Sequence, residues 1–223
     1  METSPPPTPS YAVVLAGGDP VDPSIAARLP ADARVIAADS GLAQANLLGL
    51  IPDLVIGDLD SVDPTDLAEA QAADVPVERH PEDKDATDLE LALDRAVAMG
   101  HSNVILIGGY GGRLDHLLGN ALVLASDRFG AVHIEWWVRD TRVVVARSGE
   151  RTELAGTFGD VVSLIAVGGP AIGIVTAGLR WPLENETLAP GSTRGISNEL
   201  TATTAEVTIG SGVLLLIHEG NPT

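Results

Sequence analysis

Leu54-Val55-Ile56-Gly57-Asp58-Leu59-Asp60-Ser61 joins a short apolar run to an acidic turn, and the same arrangement recurs along the first half of the chain. Asp39-Ser40-Gly41 follows Val35-Ile36-Ala37-Ala38, and Gly17-Gly18-Asp19 follows Tyr11-Ala12-Val13-Val14-Leu15. Lys84-Asp85-Ala86-Thr87-Asp88 comes shortly after Val75-Pro76-Val77. Gly108-Gly109-Tyr110-Gly111-Gly112-Arg113-Leu114-Asp115-His116 follows Val104-Ile105-Leu106-Ile107. Runs without polar alternation suit strands buried on both faces of a parallel sheet. In an open α/β sheet, ligands bind outside the carboxyl ends of the strands. These segments are therefore expected to converge on one sheet edge and outline a metal–phosphate site.

Helical patterns separate the runs. Thr87 and Glu90 have capping-box spacing. Leu89, Ala92, Leu93, Ala96 and Val97 then repeat with helical period, and Gly100 fits the stop. A second helix is predicted from about Ala43 to Leu48, before Gly49 and Pro52, and a third from Asp115 through Leu124. With a strand near Ala131–Trp137, residues 11–140 read as about six strands, mostly parallel, with flanking helices. After about Asp140 the pattern changes to short β-branched runs broken by Gly, Pro and Asn: Val161–Val167, Ile172–Ala177 and Val213–Ile217. Gly210-Ser211-Gly212 predicts a hairpin turn between Glu206–Ile209 and Val213–Ile217. The expected architecture is α/β, an open mostly parallel sheet with flanking helices over residues 11–140. A small all-β, sandwich-like domain follows over 141–223, and residues 1–10, rich in Pro, Ser and Thr, form a disordered tail.

Composition narrows the function. A net charge of −18 argues against a nucleic-acid backbone or an anionic membrane as partner. The absence of cysteine excludes disulfides, thiolate chemistry and Cys-ligated zinc. The His residues show no metal-ligand spacing, and no apolar stretch is long enough to span a bilayer. The N-terminus lacks a signal-peptide pattern, so a cytoplasmic protein is expected.

The acids and bases carry the chemistry. In a turning segment, Asp58 and Asp60 can point to the same side and hold Mg²⁺, a hard cation that prefers oxygen ligands. The same spacing also occurs in an ordinary Asp-rich turn, and Asp39 on the neighbouring strand favours the metal. Asp85, Asp88 and Thr87 suit a helix start on capping and dipole grounds alone. Lys84 does not, because a cation is disfavoured there unless a phosphate also sits at that end. The Gly108–Gly112 loop is neither a Walker A loop nor a dinucleotide fingerprint. Its backbone can still approach a phosphate, and Gly111 and Gly112 are followed by Arg113, a planar fork for phosphate oxygens, and Asp115. His116 reads as structural.

Taken in order, Asp-x-Gly, Gly-Asp-x-Asp-Ser, Asp-Lys-Asp-x-Thr-Asp-x-Glu and Gly-Gly-Arg-x-Asp-His-x-x-x-Asn resemble the thiamine pyrophosphokinases. Gly178-Leu179-Arg180-Trp181-Pro182-Leu183 and Gly195-Ile196-Ser197-Asn198-Glu199 look like that family's thiamine-binding β domain. The resemblance covers nearly the whole chain apart from the tail. Ser40 stands where glycine is common, Leu59 where Phe is common and Arg180 where Lys is common; no charge that the chemistry needs is lost.

The resemblance implies transfer of a pyrophosphoryl group from ATP to the thiamine hydroxyl, releasing AMP, with Mg²⁺ as cofactor. It also implies a homodimer with thiamine bound at the subunit interface. Asp39, Asp58, Asp60 and Asp88 are then expected at the metal. Gly17, Gly18, Asp39, Ser40, Lys84, Thr87, Gly111, Gly112 and Arg113 are expected at ATP. Asp85 and Asp115 would complete the surroundings, with Asp115 also near the substrate. Ser197 and Asn198 would hydrogen-bond the pyrimidine, and Trp181 would cover an aromatic face of thiamine, unless it plugs the base of the β domain. The rivals are a pyrophosphokinase for another alcohol such as a hydroxymethylpterin, a non-catalytic thiamine- or nucleotide-binding regulator, and a nucleotide-sugar transferase with an Asp-x-Asp metal site. Trp181 and Ser197-Asn198 speak against the first, the complete acid set with Lys84 and Arg113 against the second, and the Lys-Asp-x-Thr-Asp segment against the third.

Overall fold

The computed structural model describes residues 10–220; the tail expected over residues 1–10 lies outside them except for Ser10. The chain divides by its internal packing into two compact units. One holds the described residues up to Ile105 together with Ala131–His133, and the other holds Leu106–Gly130 and the chain from Ile134. The division thus falls inside a strand, while the change of sequence pattern lies near Asp140.

In the first unit, β1 (Tyr11–Ala16), β2 (Arg34–Ala38), β3 (Leu54–Gly57) and β4 (Val77–Arg79) form a parallel sheet ordered β4-β3-β2-β1. Ala12, Val13, Val14 and Leu15 are wholly buried. The strand is covered on both faces, which is why it reads as an unbroken apolar run. α1 (Gly41–Leu48) packs on β1 and β2, and α3 (Asp88–Ala98) packs on β1, β2 and β3 through buried Leu89, Ala92, Leu93 and Ala96. α1 ends at left-handed Gly49, and Thr87 caps α3 by accepting the Glu90 N–H at 3.2 Å, both as the sequence predicts. Two elements of this unit escaped the sequence reading. One is a short 3-10 helix, Pro23–Arg28; the other is α2 (Pro64–Ala72), whose only buried residue is Ala70.

β5 (Asn103–Gly108) spans the division between the units. The second unit carries α4 (Leu114–Leu124) and then β6 (His133–Val138), β7 (Thr141–Arg147), β8 (Arg151–Ala155), β9 (Val161–Ala177), β10 (Glu184–Leu188), β11 (Asn198–Glu199), β12 (Thr204–Thr208) and β13 (Ser211–Glu219). All the pairings of β6–β13 with one another are antiparallel. Leu154, Val162, Leu164, Ile174, Leu214 and Leu216 belong to the core they share. No helix among the described residues is long and apolar enough to cross a membrane.

The hairpin expected at Gly210-Ser211-Gly212 does not form. β12 and β13 do not pair with each other; both lie antiparallel along β9, with Thr208 opposite Val175 and Ser211 opposite Ile172. They are successive halves of one ribbon edge. The register then jumps, so that Val213 faces Val167, and the Gly168-Gly169-Pro170 stretch of β9 is left over as a bulge. Gly212 explains the choice: it sits at φ +95°, and a Cβ there would lie 2.5 Å from the Pro170 carbonyl oxygen. The glycines allow close approach to β9 rather than reversal of the chain.

Candidate active site

Adjacent parallel strands deliver the acids. Asp39 follows directly on the last residue of β2 and Asp58 on the last residue of β3, and the Asp39 N–H donates to the Ile56 carbonyl at 2.9 Å, tying the two exits together. Asp39 (φ +48°) and Leu59 (φ +66°) both adopt left-handed backbone. The conformation is unfavourable for leucine, at about 1–3 kcal/mol. It lets buried Leu59 turn into the core while Asp58 and Asp60 stand on either side of it. Gly57 completes the arrangement. At φ +147° it admits no ordinary side chain, and a Cβ there would lie 2.9 Å from Asp88 Oδ1 and 3.2 Å from Asp39 Cβ.

Asp39, Asp58 and Asp60 each offer a carboxylate oxygen within 4.8 Å of the others. Lys84 ion-pairs with Asp58 Oδ2 and, at 3.1 Å, with Asp88 Oδ1. Ser61 Oγ donates to Asp60 Oδ1 at 2.8 Å, and the Asp60 N–H donates to Asp58 Oδ1 at 3.3 Å. The electrostatics follow. Burial raises the Asp39 pKa; the Ser40 N–H opposes this, and the Asp88, Asp58 and Asp60 carboxylates add to it. The Lys84 ammonium holds the Asp58 carboxyl below its usual range. Burial works against the Lys84 charge, but its hydrogen bonds to Asp58 and Asp88 outweigh that and keep its pKa above the ordinary value.

Asp39 Oδ1 is buried and has no hydrogen-bond partner among the described residues. An unpartnered buried carboxylate oxygen beside two further carboxylates is an all-oxygen donor set, and it fits a hard divalent cation. Around it, Asp85 is exposed, and Thr87 serves as the α3 cap. Gly17 lies against Ser40, so that a Cβ there would come within 2.1 Å of Ser40 Oγ. Gly18 is exposed at φ +124°.

In the second unit, Gly108, Gly109, Gly111 and Gly112 all have positive φ. Residues that sequence reasoning did not assign to the site anchor this loop. Trp136 Nε1 donates to the Gly108 carbonyl at 2.7 Å, Asn120 Nδ2 to the Gly109 carbonyl at 3.0 Å, and the Arg139 guanidinium lies 4.7 Å from the Tyr110 ring centroid. Only Asn120 left a local signal, one helical turn beyond His116. Arg113 forks onto Asp115 with contacts of 3.1 and 2.6 Å, both side chains being exposed, and it drives the Asp115 pKa down to about 2.

The β-rich part places Trp181 on the surface, 53% exposed, so it does not plug the core. Arg180 lies 4.8 Å from its ring centroid and pairs with Glu199 at 2.7 Å. Ser197 is exposed at φ +57° and donates its N–H to Ser163 Oγ. Asn198 differs from expectation. It is 5% exposed, and its carboxamide binds the backbone of Trp181 and the N–H of Glu199 rather than facing outward.

The chain is similar to known proteins over most of its length. Residues 27–135 match the family described as "Thiamin pyrophosphokinase, catalytic domain", and residues 147–214 match "Thiamin pyrophosphokinase, vitamin B1 binding domain". A thiamine pyrophosphokinase from Bacillus subtilis (strain 168) is 28% identical over 183 residues, covering 82% of this chain and 86% of its own. The crystal structure of thiamine pyrophosphokinase from Bacillus subtilis superposes with a TM-score of 0.83 at 25% identity, over 95% of this chain and 99% of that one. The thiamin pyrophosphokinase from Geobacillus thermodenitrificans gives 0.80 at 28% identity, over 96% and 99%.

Proposed function

The chain belongs to the thiamin pyrophosphokinase family, and from that premise we propose how its residues carry out the reaction. The enzyme makes thiamine diphosphate from thiamine and ATP. The thiamine hydroxyl oxygen bonds to the β-phosphorus of ATP, the bond from that phosphorus to the α–β bridging oxygen breaks, and AMP leaves. The hydroxyl proton passes to a carboxylate of the site. The match of residues 147–214 to a vitamin B1 binding domain favours thiamine over a hydroxymethylpterin.

The observation that carries the site assignment is the juxtaposition of Asp39, Asp58 and Asp60 with Lys84 beside them. Asp39, Asp58 and Asp60 hold Mg²⁺, with Asp88 alongside. The ion, when bound, offsets the phosphate charge that otherwise repels the incoming oxygen. Phosphoryl transfer gives the protein little covalent work, so catalysis consists of positioning and charge neutralisation. Lys84 contacts phosphate, and Arg113 does so on leaving Asp115. Asp85 and Thr87 flank the phosphates at the start of α3. The close approach of Gly17 to Ser40 and the open backbone of Gly18, Gly111 and Gly112 let main-chain N–H groups reach the nucleotide. Trp181 covers thiamine and Ser197 hydrogen-bonds it, while Asn198 positions Trp181. The working form is a cytoplasmic homodimer with thiamine bound between subunits.

Incubation with Mg-ATP and thiamine tests the reading. AMP and thiamine diphosphate are expected. ADP with thiamine monophosphate would instead establish an ordinary kinase.

A further inference from the structure

Lys84 is an unusual residue to find at the start of α3, because the N-terminal end of a helix repels cations. What holds it there is the acid cluster: its ammonium lies between Asp58 from the β3 exit and Asp88 of α3. The Lys84 and Asp58 side chains are each only 13% exposed. Solvent and salt therefore screen this pair far less than a surface ion pair. Both Asp58 oxygens also have a partner, since Oδ2 faces Lys84 and Oδ1 accepts the Asp60 N–H. A divalent ion approaching Asp39, Asp58 and Asp60 competes with Lys84 for Asp58, and it meets the ammonium's repulsion as it does so.

Resting on the reading of this cluster as the metal site, we propose that Lys84 is an internal counter-cation that metal-bound nucleotide displaces. The ammonium gives up Asp58 to the metal and moves onto a phosphate oxygen, so bare divalent cation is disfavoured and metal enters together with its phosphates. The exchange keeps every charge paired: Asp58 passes from ammonium to metal, and the ammonium passes from carboxylate to phosphate. Neither partner could make the exchange alone at equal advantage. Bare metal leaves Lys84 with Asp88 as its remaining partner, and metal-free nucleotide crowds phosphate against the acids. Antagonism and synergy of this kind are coupling free energies, and they act reciprocally on the two ligands.

The test uses Mn²⁺ as the probe, with free ion followed by electron paramagnetic resonance in the absence of nucleotide. Lys84→Met should bind Mn²⁺ at least about fivefold more tightly than wild type. Lys84→Gln serves the same purpose if the methionine variant folds poorly. Lys84→Arg, which keeps the charge, should stay within about twofold of wild type, whereas an effect of altered side-chain shape would move both. Adding Asp60→Asn to Lys84→Met should abolish the gain. ATP binding in EDTA, measured by calorimetry, should weaken in Lys84→Met. Equal or weaker Mn²⁺ binding in Lys84→Met, while Asp60→Asn still weakens the wild type, overturns the counter-cation role and leaves the metal site standing. Mn²⁺ binding that is indifferent to Asp60→Asn in both backgrounds overturns the metal site and this inference together. Unchanged ATP binding overturns the transfer of Lys84 to phosphate.

Discussion

The Asn198 carboxamide grips the backbone of Trp181 from both sides: Oδ1 accepts the Trp181 N–H at 3.1 Å, and Nδ2 donates to the Trp181 carbonyl at 2.8 Å. The same Oδ1 accepts the Glu199 N–H at 2.9 Å. A buried amide used this way fixes an exposed indole without touching what the indole touches. Asn198→Asp retains the acceptor and replaces the donor with an oxygen facing a carbonyl. It should lower stability by about 1–3 kcal/mol and raise the thiamine KM with little change in that for ATP. Thermal melts with separate KM measurements for the two substrates check this; a rise confined to ATP would remove Asn198 from thiamine recognition.

Trp181→Ala should weaken thiamine roughly five- to thirtyfold, the value of a desolvated cation–π contact of about 1–2 kcal/mol. The ring is largely exposed, so the melting temperature should barely move. Trp181→Phe should recover part of the loss. Arg180 already lies over the indole, so a thiazolium must use the other face or displace the guanidinium. Arg180→Met therefore separates the two cases: thiamine KM stays constant in the first and falls in the second.

Asp58→Asn and Asp60→Asn should each reduce kcat on the order of a hundredfold or more, the usual consequence of removing one preorganised electrostatic contact. Cooperative melts near that of wild type are the control. Gly57→Ala should act on the same site through geometry, since its Cβ would push Asp88 and Asp39 apart. It should lower both Mn²⁺ affinity and kcat by more than about tenfold, matching a strain of about 1–3 kcal/mol. Near-wild-type kcat at saturating Mg²⁺ in the Asp variants would dismiss the metal assignment.

The parts of this molecule legible in the sequence are those with local causes. Thr87 and Glu90 announce the α3 cap because the bond spans a single turn. Asp39, Asp58 and Asp60 announce themselves because chain exits of buried parallel strands share an edge. Where several structures share one local signal, the sequence misleads. Gly210-Ser211-Gly212 has hairpin chemistry, but the same glycines serve a ribbon that hugs β9. α2 buries only Ala70 and so shows no apolar period; its signal was Asp63, which accepts the Thr65 N–H at 2.7 Å, with Pro64 after it. The role of Asn198 was hidden because its partner, Trp181, lies seventeen residues away, and only the fold brings the two together. Arg113 reads as a free phosphate ligand in sequence, whereas in the fold Asp115 occupies it.

Asp39 makes the opposition between function and stability measurable. Its folded-state pKa is raised, by burial first, with Asp88, Asp58 and Asp60 adding to the effect. Above that pKa the folded protein must hold a disfavoured anion, so the group lowers stability at neutral pH. As pH falls through the raised value towards the unfolded value, the native state binds the proton first, and this contribution to stability rises. Asp58 behaves oppositely: its lowered pKa gives stability above the unfolded value that is lost on further acidification. Asp39→Asn should therefore melt higher than wild type at neutral pH in EDTA. The difference should shrink as pH drops through the raised Asp39 pKa, while catalysis is largely lost at every pH. Differential scanning calorimetry across that range, in EDTA and again in Mg²⁺, reads the effect. With Mg²⁺ bound to wild type the advantage of the variant should narrow or reverse, because a ligand that binds only the folded state stabilises it. A variant that melts lower than wild type at neutral pH in EDTA would mean that Asp39 is held by favourable contacts, and its unpartnered oxygen would no longer argue for a metal.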